Sequence, residues 1–142
     1  MNDQFIKDKK IIVKNTKKII NFFKNKNILI TGANGFLGKY FIEVFNEYNC
    51  YLDQPINIIA IDKTFLKNSY NKNKNLSIIR KDVSKKILIN KKIDIIIHAA
   101  GIASPFYYRK EPLETLDVAI NGTRNLLNIA KINESKFIFF SS

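Results

Sequence analysis

The sequence predicts an α/β fold, a doubly wound parallel sheet with its strands in the order 3-2-1-4-5. Two observations lead to this prediction. Short apolar, β-branched runs alternate with amphipathic stretches, and the first run ends in a glycine-rich turn that opens a helix. Strands that alternate with helices pair in parallel through right-handed crossovers. The predicted strands are 27–31, 56–61, 76–80, 93–97 and 136–140.

The turn after the first strand carries three glycines, each three residues from the next, at Gly32, Gly35 and Gly38. Apolar residues then recur at helical spacing over 36–48. Glycine has no Cβ, so a phosphate can come close to the backbone N–H groups at the positive end of this helix. The turn therefore predicts a site for a diphosphate.

Length and composition indicate one globular domain. The chain has 142 residues, of which 46% are hydrophobic, and this is enough for one core. Its single cysteine, Cys50, cannot form an internal disulfide, so a reducing cytoplasm is the expected location. No apolar run approaches the ~20 residues of a membrane span, and no signal peptide is recognisable.

The net charge of +12 raises the question of a nucleic-acid partner. Only three of the 24 basic residues are arginine, the residue that base recognition favours. Isoleucine, lysine and asparagine are abundant along the whole chain, including the expected core. We therefore expect no nucleic-acid partner.

Residues 1–26 contain neither glycine nor proline, and apolar residues repeat at sevenfold spacing, as at Phe5, Ile12 and Ile19. This pattern predicts an amphipathic helical extension that precedes the domain of 27–142. The helix could pack on the domain edge, pair with another subunit, or lie on an anionic membrane surface. Packing is the favoured interpretation.

The glycine spacing differs from the G-x-G-x-x-G of the dehydrogenase fingerprint. The segment TGANGFLG at 31–38 resembles the turn of the short-chain dehydrogenase/reductase superfamily, and its GFLG half resembles the extended branch, the NAD-dependent nucleotide-sugar epimerases and dehydratases. The resemblance implies a Rossmann-like domain that binds NAD. The cofactor contacts that it implies in this turn are Gly32, Asn34, Gly35, Phe36, Leu37 and Gly38.

Asp62 ends the second predicted strand, where an acid accepts hydrogen bonds from the adenosine ribose and repels the extra phosphate of NADP. It lies 30 residues after Gly32, later than the usual ~20, and the polar linker 49–57 can absorb the excess. Lys63 follows directly and could tolerate a phosphate. NAD is therefore favoured without excluding NADP, and the alternative interpretation of Asp62 is an exposed acid at a strand end.

The ends of the third and fourth strands supply the remaining cofactor candidates. By the resemblance, Asp82 and Val83 meet the adenine ring. The small residues Ala99, Ala100 and Gly101 let the cofactor lie across the end of the fourth strand. The only histidine, His98, precedes them, and the family motif His-x-Ala-Ala implies a structural histidine that bonds the backbone rather than a general base.

The segment 102–109 is similar to the Ala-Ser-Pro-aromatic segment of UDP-glucuronate decarboxylases, and this implies that Ser104 and Tyr107 neighbour the substrate, a UDP- or dTDP-linked sugar. From the residues alone, Phe106, Tyr107 and Tyr108 would predict a packed surface loop.

Apolar spacing predicts a helix over 112–132. Its Gly-Thr-x-Asn-Leu-Leu segment at 122–127 matches the family, whereas Ala119 replaces the usual asparagine and Asn121 lies on another helical face. At the end of the fifth strand Ser142, or alternatively Ser141, matches the catalytic hydroxyl that bonds the sugar.

The resembling family also needs a Tyr-x-x-x-Lys pair for proton transfer. The only such spacing here, Tyr70 with Lys74, lies in the polar stretch 67–75 before the third strand and is taken as accidental. We therefore expect the N-terminal, cofactor half of a longer homodimeric enzyme, inactive alone, without the substrate lobe, with an incomplete sheet and an exposed apolar face over strands four and five. The alternative is a non-catalytic NAD(P)-binding sensor or scaffold.

Overall fold

The computed structural model describes residues 3–65 and 73–140. The strands are β1 (Asn27–Thr31), β2 (Asn57–Asp62), β3 (Leu76–Arg80), β4 (Ile95–His98) and β5 (Lys136–Phe139). The helices are α1 (Asp3–Asn15), α2 (Phe36–Tyr48), α3 (Pro105–Lys110), α4 (Pro112–Asp117) and α5 (Thr123–Asn133). A 3-10 helix at Lys17–Phe23 follows α1, and a π-helical turn at Val118–Gly122 joins α4 to α5.

The five strands form one parallel sheet in the order β3-β2-β1-β4-β5, which confirms the predicted topology. β1 lies in the middle, with β2 on one side and β4 on the other. Chain order reverses between these two neighbours of β1, and in doubly wound folds a crevice opens there at the carboxyl edge of the sheet. The glycine turn follows β1 at this edge.

The core has two layers because the central strands are buried on both faces. Ile28 and Ile30 of β1 point to a cluster under α1 and α2, whereas Leu29 points to a cluster under α5. Isoleucine dominates both layers, and β-branched side chains suit a pleated sheet that helices cover on both sides. The near-continuous apolar runs of β1, β2 and β4 follow from this double burial.

The N-terminal segment packs on α2 of the same chain. The rings of Phe5 and Tyr40 lie 4.3 Å apart, and the Tyr40 hydroxyl donates to Asp8 at 2.8 Å. Lys9 forms an ion pair with Glu47 at 3.1 Å. Of the three interpretations of this segment, packing on the domain edge is the one that these contacts show.

The expectation of one helix over residues 1–26 is wrong in extent, since α1 ends at Asn15. The Thr16 hydroxyl donates to the carbonyl of Ile12 at 2.6 Å and also bonds the Tyr48 hydroxyl. A threonine side chain that bonds the preceding turn and a distant tyrosine competes with helix propagation. The chain continues as the 3-10 helix.

The region after β4 also differs from prediction. Residues 105–110 form α3 rather than a loop, and 112–132 divides into α4, the π-helical turn and α5. Pro105 and Pro112 each lie in the first turn of a short helix, where proline is favoured because it needs no hydrogen-bond acceptor. Glu111 between them has a non-helical backbone, so the two helices remain separate.

Small shifts occur at the ends of three strands: β2 spans Asn57–Asp62 rather than 56–61, β4 ends at His98 rather than at 97, and β5 ends at Phe139 rather than at 140. β4 begins at Ile95 rather than at 93, because the N–H of Ile93 donates to the Asn133 side chain and its carbonyl accepts from Ser135. The exposed apolar face expected over strands four and five is found on β5 alone. Ile138 and Phe139 are 46% and 47% exposed, whereas β4 is buried throughout.

Within 3–65 and 73–140, no helix has the length and apolar character needed to cross a bilayer. Most of the polar stretch 67–75, with Tyr70, lies outside the described residues.

The orientation of α5 can be tested with two adjacent leucines. Leu126 is fully buried in the core and Leu127 is 48% exposed. Leu126→Ala is expected to lower the free energy of unfolding by about 3 kcal/mol, because a buried cavity replaces the side chain. Leu127→Ala should cost less than ~1 kcal/mol. Urea unfolding measures both, and similar losses in the two variants would contradict this orientation.

Candidate functional site

The glycine turn is closed by two contacts that exclude any side chain. Gly32 has a φ of +67°, and a Cβ at this position would overlap the carbonyl of Ala99 at the end of β4. A Cβ at Gly38 would overlap the carbonyl oxygen of Gly32. The turn therefore packs against β4 while α2 packs against the turn, and both close approaches need glycine.

The first turn of α2 presents backbone N–H groups without helical partners. The N–H of Lys39 donates to Gly35 at 3.1 Å, and the N–H groups of Phe36, Leu37 and Gly38 precede this first helical bond. No side chain caps the helix at Gly35. The positive end of a 13-residue helix, with three such donors and no carboxylate cap, favours a bound anion.

A cavity of about 230 Å³ lies beside this turn at the carboxyl edge of the sheet. Eight residues that the sequence nominated for cofactor binding line it: Gly32, Gly35, Asp62, Asp82, Val83, Ala99, Ala100 and Gly101. Lys63, which was noted beside Asp62, lines it as well. Four others were not nominated: Lys81, Ile102, Glu114 and Val118.

Asp62 is held in a fixed orientation at the end of β2. Its Oδ2 accepts the N–H of Asn34 at 2.9 Å, and its Oδ1 accepts the N–H of Thr64 at 3.0 Å. The first bond ties the glycine turn to β2. Oδ1 also accepts the Thr64 hydroxyl at 3.4 Å. Since each carboxylate oxygen has two lone pairs, Oδ2 keeps acceptor capacity for a hydroxyl group.

Asn34 takes part in this arrangement through its backbone N–H, and its side chain carries a buried amide oxygen. The Oδ1 atom is buried and has no hydrogen-bond partner within the described part of the chain. An unpaired buried acceptor beside an anion-binding turn is the kind of atom that a ligand or an ordered water satisfies.

Asp82, in the loop after β3, adds a second negative charge to the cavity lining. Burial raises the pKa of its carboxyl, but hydrogen bonds from Ser84, including the backbone N–H at 2.8 Å, and the charges of Lys63 and Lys85 outweigh burial. The pKa therefore lies below its ordinary value. The carboxylate is an acceptor at neutral pH.

His98 joins three elements of the core beneath the cavity. Its Nδ1 bonds the Thr31 hydroxyl of β1 at 2.8 Å, and its Nε2 bonds the Thr123 hydroxyl of α5 at 3.2 Å. The histidine is structural, but its ring bonds two hydroxyl groups and not the backbone as predicted. Burial lowers its pKa to about 4, so the imidazole is neutral at physiological pH.

Several nominated residues lie elsewhere. The side chains of Phe36 and Leu37 line a separate apolar groove of about 610 Å³ between α1 and α2, so only their backbone N–H groups belong to the turn. Tyr107 lies on the exposed helix α3, Ser104 directly precedes that helix, and neither lines the cavity. Ser141 and Ser142 lie outside the described residues.

Both departures from the family pattern lie in the π-helical turn between α4 and α5. Asn121, in the π-helical turn, donates to Asp117 on the preceding turn, and Ala119 is exposed. Asn125, which the Gly-Thr-x-Asn pattern contained but which was not nominated, donates to the carbonyls of Val83 and Lys85 at 2.9 and 3.2 Å. It thereby holds the loop that carries Asp82.

These features together define a dinucleotide-binding domain of the Rossmann type. The turn supplies N–H donors for a diphosphate, and the ends of β2 and β3 supply carboxylates for a nucleoside. The small residues after β4 leave room for a ligand to cross the strand ends. The residues present therefore fit a dinucleotide cofactor.

Comparison with known proteins identifies the family. Residues 28–142 match the model of the NAD dependent epimerase/dehydratase family, and the chain belongs to that family, whose cofactor is NAD. The chain is 34% identical over 145 aligned positions to the bifunctional polymyxin resistance protein ArnA of Wigglesworthia glossinidia brevipalpis, covering 96% of this chain and 20% of that protein. It is 32% identical over 112 positions to UDP-glucuronic acid decarboxylase 5 of Arabidopsis thaliana, covering 75% and 31%.

Solved structures agree on the fold. An epimerase from Methanothermobacter thermautotrophicus superposes with a TM-score of 0.73 at 20% identity, over 88% of this chain and 38% of that one. The UDP-N-acetylglucosamine 4-epimerase of Methanobrevibacter ruminantium gives a TM-score of 0.64 at 30% identity, over 84% and 38%. The chain thus spans about a fifth to two fifths of the proteins compared here.

The buried histidine predicts a pH dependence of stability. The pKa of His98 is about 4 in the folded chain against an ordinary 6.5, so protons bind the unfolded chain first as the pH falls below 6.5. Between pH 7 and pH 5 the wild-type chain is expected to lose about 2 kcal/mol more unfolding free energy than His98→Asn.

Urea unfolding of both proteins at the two pH values measures this difference. Because His98 is the only histidine, the subtraction removes the shared titration of the carboxylates. An equal pH response of the two chains would contradict a buried, neutral imidazole.

Proposed function

We propose that this chain is the NAD-binding part of an enzyme that modifies a nucleotide sugar. The observation that carries the proposal is the meeting of three elements at one cavity: the glycine turn, Asp62 hydrogen-bonded to that turn, and Asp82 in the loop after β3. All three lie at the carboxyl edge where strand order reverses, which is the ligand crevice of such sheets.

Each part of the site has a distinct role in holding the cofactor. The N–H groups of Phe36, Leu37 and Gly38 would bind the diphosphate, and the absence of a side chain at Gly35 leaves it room. Asp62 would accept from the ribose hydroxyl groups. Val83 and Asp82 would contact the adenine and its amino group. Across the strand end, the small residues Ala99, Ala100 and Gly101 would admit the nicotinamide half.

NAD supplies a hydride acceptor, so that the sugar can be oxidised at C4, then decarboxylated, dehydrated or epimerised, and finally reduced again. Decarboxylation of a UDP-linked uronic acid is the activity we favour. It is supported by the Ala-Ser-Pro-aromatic segment at 103–106 and by the likeness to UDP-glucuronic acid decarboxylase 5. A homodimer is the proposed assembly of the whole enzyme, in the cytoplasm.

Ser104 and Tyr107 are the proposed neighbours of the substrate. They follow closely after Ile102, which lines the cavity, and their exposure at the start of α3 and on it leaves them free to contact a bound sugar. Ser142 after β5 is the proposed catalytic hydroxyl group. No Tyr-x-x-x-Lys pair lies beside the cavity in the described residues, so the chain alone is expected to bind cofactor without turnover.

A non-catalytic NAD(P)-binding sensor or scaffold is the second candidate. Ala119 favours it, because the resembling enzymes carry an asparagine there. Consumption of UDP-glucuronate by the complete protein, measured by release of carbon dioxide, would support the enzyme over the sensor. Binding of NAD without turnover would support the sensor.

The glycine turn can be tested by calorimetric titration with NAD. Gly35→Val is expected to weaken NAD binding by at least about tenfold, since its side chain would occupy the space of the diphosphate. A Cβ at Gly35 would lie 3.0 Å from the carbonyl oxygen of Gly32, so folding of the variant is verified by its unfolding curve. Leu127→Val, outside the cavity, is the control. Unchanged NAD affinity in folded Gly35→Val would contradict the site.

A further inference from the structure

The cavity rim carries an ion pair that the proposed binding of NAD does not use. The ammonium group of Lys63, directly after β2, donates to Oε1 of Glu114 on α4. Both residues line the cavity beside Asp62. The pair thus joins the ribose end of the site to a helix that lies 51 residues later in the chain.

The position of Lys63 makes this pair relevant to cofactor choice. NADP differs from NAD by a 2′-phosphate on the adenosine ribose. In the proposed site, Asp62 accepts hydrogen bonds from the hydroxyl groups of this ribose. A basic residue near the acid at this strand end can accommodate that phosphate. Lys63 is the residue directly after Asp62, but its ammonium group is already bonded to Glu114.

The charges around Lys63 reinforce this arrangement. The hydrogen bond to Glu114 is the main reason that the pKa of Lys63 is raised, and Asp82 and Glu111 add to it. Among the residues that the structure describes, the other cation that lines the cavity is Lys81. Arg80, which pairs with Asp62 in the sheet register, donates through Nε to the carbonyl of Lys63 at 3.2 Å.

We propose that Glu114 is a specificity-determining residue, which favours NAD over NADP by holding the Lys63 ammonium group away from the ribose. Asp62 would repel a 2′-phosphate directly, and Glu114 would hold back a neighbouring cation that could offset this repulsion. The inference rests on the proposed NAD site and goes beyond it, because it assigns discrimination to a residue on α4 as well as to the acid after β2.

The test measures dissociation constants for NAD and NADP by calorimetry in wild type and three variants. Glu114→Gln keeps the size of the side chain and removes its charge. It is expected to strengthen NADP binding about fivefold and to change NAD binding by less than about twofold. The double variant Lys63→Met with Glu114→Gln should lose the gain, because the freed cation is gone.

Glu134→Gln is the matched control. It removes the same charge from an exposed residue at the end of α5, outside the cavity lining, and should leave the ratio of the two affinities unchanged. If wild type binds NAD and Glu114→Gln leaves this ratio unchanged, or if the double variant keeps the gain, the role of Glu114 is contradicted. If wild type binds neither dinucleotide, the proposed function falls and this inference with it.

Discussion

The close approach of the glycine turn to the end of β4 is the constraint on which the site depends. Gly32 lies so near the carbonyl of Ala99 that no side chain fits between them. The bond from the N–H of Asn34 to Asp62 then ties the same turn to β2. Two strands and a helix therefore meet at one point, and the donors of α2 lie at the same edge as the carboxylates.

The charge of the cavity lining differs from the net charge of the whole chain. The net charge is +12, yet the cavity is lined by the acids Asp62, Asp82 and Glu114 and by only two cations, Lys63 and Lys81, among the described residues. The described side chains that line the cavity therefore carry no excess of positive charge that would bind anions in general. Under the proposed function, anion binding would depend on the backbone donors at the start of α2, and the side-chain charges would select among nucleotides.

The parts that could be predicted are those fixed by local sequence. β1, α2 and β3 begin and end at the predicted residues, since apolar runs bounded by glycine or polar residues specify them without distant contacts. The end of α1 depends on the contact of Thr16 with Tyr48, and the division of α4 from α5 depends on a π-helical turn at Gly122. Neither leaves a signal in the local pattern.

The candidate site also has a part that the sequence could predict and a part that it could not. The glycine spacing, the acid and small residues at strand ends and the family resemblance together nominated eight of the thirteen residues that line the cavity, because each of them follows a recognisable strand. Glu114 could not be nominated, since it reaches the cavity only through the path of the chain after β4, over which α3 and α4 form. Asn125 stood in a recognised pattern, but its contact with the loop at Val83 needed the packed structure.

The central claim is that a dinucleotide lies with its diphosphate on the amides at the start of α2. Titration of the ¹⁵N-labelled chain with NAD, followed through backbone amide chemical shifts, tests it most directly. The account predicts the largest changes at Phe36, Leu37 and Gly38, with further changes at Asp62 and Asp82. Changes confined to residues outside the cavity, such as Ile11 and Ile19 in the groove between α1 and α2, would contradict it.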